Sequence, residues 1–148
     1  IKNILLWRPS DITKIESVTE KEGNWIILIK AATNVLKGDN FVFVYPELLQ
    51  NQTIVSRGEV ITSQILEKKN SDFLNTKSTV NNLLKKTRDK IKSRGSIVNE
   101  INTKGNFIKT TGDYIKINQK DKYLLEVVSL RDSKTAEAII VELNVTGL

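Results

Sequence analysis

Apolar residues gather in two dense runs, residues 25–29 (WIILI) and 41–45 (FVFVY), both rich in β-branched and aromatic side chains. Between them Asn34, Gly38, Asp39 and Asn40 occupy turn positions, so the stretch predicts a β-hairpin with a long tip. Residues 25–29 are apolar at every position, the mark of a strand covered on both faces and interior to its sheet. The second run has the same character and is expected to stop at Pro46. Short strands follow at 53–55 and 60–66. The latter is entered through Arg57-Gly58, where glycine permits the positive φ of a tight re-entry.

Ahead of the hairpin, residues 1–7 read as an edge or incoming strand halted by Arg8-Pro9. Ile12, Ile15 and Val18 are spaced three apart, which fits a helical turn and an alternating strand alike. Beyond a polar loop at 67–72, Val80, Leu84, Thr87 and Ile91, widened by Leu83, form the stripe of an amphipathic helix over about 77–94. Asn75 or Ser78 is its expected N-cap and Gly95 its stop. Ser96-Ile97-Val98 reads as extended, and 107–117 as a small hairpin turning around 110–113. Residues 123–128 and 138–145, separated by a polar tip at 131–137, predict a second long-tipped hairpin. The two hairpins overlay without a gap, Trp25 on Tyr123 and Phe41 on Ile139, which suggests a duplicated unit.

These elements predict one α+β domain: a mixed sheet or partly closed β-barrel of two hairpins and short strands carrying one basic helix. Its parts are a lead-in at 1–23, a first hairpin and strand at 24–66, the helix at 75–95 and a second β half at 96–148. At 148 residues, 39% hydrophobic and 27% charged, the chain is long enough to bury a core without a metal or disulfide. It begins at Ile1 and contains no Met, so it is expected to be a mature or excised piece of something longer.

Cysteine and histidine are both absent, which removes thiolate nucleophiles, Cys/His metal sites and imidazole proton shuttles. The expectation is a non-enzyme with no catalytic residue, cofactor or metal. Glu59 is an isolated acid beside a glycine turn, and reads as a salt-bridge or turn residue. Asp39 reads as a turn former, since a calcium loop needs acids at alternating positions.

Charge is the one unevenly spread property. Residues 77–94 hold seven bases and one acid, a net +6 equal to that of the whole chain. Lys85, Lys86, Arg88, Lys90, Lys92 and Arg94 are therefore the candidate site for a polyanion, either nucleic acid or anionic lipid. No aromatic residue stands among them to stack a base.

The segments NVLKGD (34–39), VFVY (42–45) and IVSRGEVI (54–61), followed by a helix ending in Arg94-Gly95 and a closing hairpin, resemble the C-terminal module of the bacterial domain of unknown function family 3084. The resemblance implies a soluble module held at the cell membrane or envelope by spans and a coiled coil outside this fragment, on the extracytoplasmic side. It implies a protein partner, oligomerisation through those outer regions, and no activity to carry over. Gly38, Asp39, Gly58 and Gly95 are then structural turn residues.

Overall fold

In the computed structural model, which describes residues 3–70 and 72–148, the chain folds as two units, Ile1–Gln52 and Thr53–Leu148, where the sequence suggests one domain. Residues 1 and 2 of the expected first strand, and residue 71 of the polar loop, lie outside the described residues.

The first unit runs β1 (Asn3–Leu6), α1 (Ser10–Thr19), β2 (Trp25–Ala31) and β3 (Phe41–Gln50). The three-spaced isoleucines belong to a helix, and the buried Asp11 carboxylate at its start accepts the Arg8 N–H at 3.0 Å. β3 is the middle strand, parallel to β1 (Asn3↔Phe41 through Leu6↔Val44) and antiparallel to β2 (Trp25↔Gln50 through Ala31↔Val44).

Pro46 does not end β3, contrary to expectation. The Ala32 N–H donates to the Phe43 carbonyl and the Asn51 N–H to that of Asn24, which sets the alternation of bonded pairs. Pro46 faces Ile29 in an unbonded pair, and its missing N–H points to the far side of β3, beyond the last residue of β1. β2 is also not interior: among the described residues it pairs with β3 alone, and Ile27 and Ile29 are 39% and 53% exposed. In β3 uniform apolarity conceals an alternation. Val42, Val44 and Pro46 are buried, whereas Phe41 and Tyr45 are exposed. Phe43 joins Phe41 and Trp7 edge-on at 5.3 and 5.5 Å between ring centres.

The second unit contains β4 (Thr53–Val55), β5 (Val60–Glu67), α2 (Phe73–Ser93), β6 (Ile101–Thr103), α3 (Phe107–Asn118), β7 (Lys122–Ser129), β8 (Ser133–Lys134) and β9 (Ile139–Gly147). Its main sheet has the order β5-β7-β9-β6, antiparallel except for the parallel pair β6/β9, and β4 forms a ribbon with β8. The α+β class holds, and the sheets are mixed and open rather than closed into a barrel.

Ile61, Leu66, Tyr123, Leu125, Val127 and Val141 of this sheet form one buried cluster with Val80, Leu83 and Ile91 of α2 and Phe107 of α3. α2 begins a turn before the expected point because Asp72, not Asn75 or Ser78, is its N-cap; the Asp72 carboxylate accepts the Asn75 N–H at 2.7 Å. Gly95 stops the helix at φ +97°, as expected.

Residues 107–117 are helical, not a hairpin. The Asn106 side chain caps the Lys109 N–H, and the Thr110 and Thr111 hydroxyls bond back to the Asn106 and Phe107 carbonyls. Phe107 and Thr111 are buried, with Ile108, Tyr114 and Ile115 packed beside them, so the turn-prone Gly112-Asp113 pair sits within helical spacing. Ser96-Ile97-Val98 is not a strand; pairing begins at Ile101.

The duplicated unit is visible in the backbone. β1-α1-β2-β3 and β6-α3-β7-β9 have the same order, the first strand parallel to the last and the last two strands an antiparallel hairpin. Their hydrogen bonds match: Trp7 N–H to Val44 O with Lys104 N–H to Val141 O, Ala32 N–H to Phe43 O with Leu130 N–H to Ile140 O, and Asn51 N–H to Asn24 O with Leu148 N–H to Lys122 O. Trp25 does correspond to Tyr123. The partner of Ile139 is Val42 rather than Phe41, because the two hairpin tips differ by one residue and a gapless overlay would turn β3 over.

Candidate binding surfaces

The basic helix divides into two sides. Lys90 Nζ donates to the Ile61 carbonyl at 2.6 Å, Lys86 Nζ reaches Gln64 Oε1 at 3.5 Å, and Arg94 bonds Glu59 Oε1 at 2.6 Å and the Ile54 carbonyl at 3.1 Å. Half of the six residues expected to meet a polyanion therefore fasten α2 to β5, to β4 and to the turn between them. Lys85, Arg88 and Lys92, spaced three and four apart along another side, are exposed.

Glu59 is the partner in this fastening. Desolvation by itself would raise its carboxyl pKa, but the Ser56 N–H, the Arg94 guanidinium and the Lys90 charge together outweigh that and hold it below the ordinary carboxylate range. Gly58 beside it takes φ +78°. The Asp39 carboxylate accepts the Leu36 N–H at 2.8 Å with Gly38 at φ +105°, closing the first hairpin's tip. Among the described residues no group of acids stands close enough together to hold a metal ion.

Two surfaces were not singled out from the sequence. One is a groove of about 500 Å³ between the first turns of α2 and the length of α3. Phe73, Ile108, Gly112 and Ile115 line it, and Lys77, Lys109 and Lys116 are on its rim with Asp113. The other is the free edge of β2. Positions 24, 26, 28, 30 and 32 bond inward to β3, so the N–H and C=O groups of Trp25, Ile27, Ile29 and Ala31 point away from the sheet. Side-chain polarity records which face of a strand is covered and not which backbone edge is paired, so the apolar sequence of β2 does not mark this edge.

Comparison of the chain with protein-family models, curated proteins and solved structures finds no match.

Proposed function

We propose that this chain is a non-catalytic interaction module that takes up an extended segment of a protein partner along β2. The internal repeat carries the reading. In the second unit the edge of β7 corresponding to this one is occupied: Ser129 exchanges hydrogen bonds with Gly58 and Glu59, and β5 pairs antiparallel from Val60↔Val128 to Glu67↔Lys122. Tyr123, Leu125 and Val127 are fully buried there. Their counterparts Trp25, Ile27 and Ile29 have no strand on the side of β2 away from β3 among the described residues. A strand of alternating apolar residues laid antiparallel on β2 repeats the β5–β7 arrangement, with backbone bonds supplying affinity and side chains selectivity. Acids and bases balance over residues 1–52, so the surface selects by apolar contact rather than by net charge.

Selection of ten-residue peptides on the immobilised chain tests this. Enriched peptides should alternate apolar and polar residues and should protect the amides of Trp25, Ile27, Ile29 and Ala31 from exchange. Ile27→Pro removes an outward N–H without touching the β2–β3 ladder, so it should abolish binding while leaving the unfolding midpoint of Trp fluorescence nearly unchanged. Peptides that bind the proline variant equally well would refute the reading.

The likeness to family 3084 adds the proposal that the module is tethered to a bacterial membrane or envelope by segments outside these residues. Upstream coding sequence with membrane spans and heptads supports it; an immediate start codon removes it. A second reading, polyanion binding, is favoured by the exposure of Lys85, Arg88 and Lys92 along one side of α2 and by the whole net charge belonging to residues 53–148.

A further inference from the structure

We propose that the groove between α2 and α3 is a binding site for a single-chain amphiphile, an alkyl chain ending in a carboxylate or phosphate. Ile108, Gly112 and Ile115 follow one another at helical spacing along α3 and line the groove with Phe73 of α2. Phe73 is 69% exposed, a large apolar ring left in the open at the mouth of this groove. Lys77, Lys109 and Lys116 are exposed on the rim, and none of them takes part in an ion pair among the described residues. Three ammonium groups against the single carboxylate of Asp113 leave the rim positive, while the lining is mainly apolar. An elongated apolar body with one anionic end matches both properties. The volume, about 500 Å³, falls within the range of small-molecule sites.

Gly112 is the independent observation. Glycine is a poor helix former, and in a helix interior it is ordinarily explained by a positive φ or by backbone packed close against it. Neither applies. Gly112 is not among the positive-φ glycines, and a Cβ built on it meets nothing within 4 Å. Since Gly112 lines the groove, the space a side chain there would enter is the groove itself. Helix stability is given up at a position that lines the groove, where a side chain would narrow the cavity.

The test is calorimetric titration of the full chain with decanoate, decyl phosphate and the uncharged decyl maltoside, each below its micelle concentration. The two anionic probes should bind, their ratio telling carboxylate from phosphate preference, and the maltoside should bind at least about tenfold more weakly. Gly112→Leu should cost at least about tenfold in affinity with an unfolding midpoint equal to or above that of the parent, because leucine is the better helix former. Gly112→Ala should fall between them. Lys77→Gln combined with Lys116→Gln should weaken the anionic probes and leave the maltoside unchanged. Equal affinity for the maltoside, undiminished binding by Gly112→Leu, or no binding of either anionic probe would each overturn the proposal. Capture by phosphatidylglycerol vesicles that survives Gly112→Leu would also overturn it, moving the interaction from the groove to the charged surface of α2.

Discussion

Replacing Arg94 by alanine tests whether the basic helix is partly a fastening device. The substitution removes the 2.6 Å bond to Glu59 and the 3.1 Å bond to the Ile54 carbonyl at one stroke. Both carboxylate and guanidinium are 31% exposed, so screening reduces the ion pair to about 0.5–1 kcal/mol. The partly buried bond to Ile54 contributes about 1 kcal/mol more, for a total loss of about 1.5–2 kcal/mol. Urea unfolding followed by far-UV circular dichroism at pH 7 measures it, and a double-mutant cycle with Glu59→Gln isolates the pair.

The pH dependence gives a sharper check. Glu59 has a folded pKa below its ordinary 4.5, so its contribution is fully present above that value and is lost as pH falls through the depressed one. The coupling measured by the cycle should therefore be intact at pH 7 and vanish in acid. A loss under about 0.5 kcal/mol for Arg94→Ala, or a coupling that persists once Glu59 is protonated, would refute the reasoning.

Leu83→Ala should cost about 2–5 kcal/mol in the same unfolding measurement, because Leu83 is fully buried at the centre of the α2 stripe and its removal leaves a cavity. Replacing Lys85, Arg88 and Lys92 together by Glu should change stability by well under the Arg94→Ala loss, since these side chains are exposed. If α2 binds a polyanion, the same triple variant should abolish salt-dependent retention of the chain on heparin, and unchanged retention would eliminate that reading.

The hairpins, the amphipathic helix with its Gly95 stop and the turn roles of Gly38, Asp39 and Gly58 were legible in the residues, because each rests on local chemistry: periodicity, capping and glycine's access to positive φ. Burial and pairing are not local. Residues 107–117 carry turn formers at Gly112-Asp113, yet they fold as α3 because Phe107, Thr111 and Ile115 fall on one side against the second unit's core. Residues 25–29 look doubly covered, yet β2 lies at an edge, since composition records hydrophobicity but not which neighbour arrives to cover it. The duplication was traceable in the spacing of apolar runs, but a one-residue difference between the tips, decisive for which face of β3 is buried, emerged only from the backbone pairing.

Charge followed the same division. The chain by itself determined that +6 sits on one helix; only the tertiary structure decided that Lys86, Lys90 and Arg94 bond to β4, β5 and the turn between them while Lys85, Arg88 and Lys92 are exposed. A lysine's charge is a property of its residue type. Whether it meets a carbonyl or water depends on which strand the fold brings beside it, and β5 reaches α2 only through the assembled sheet.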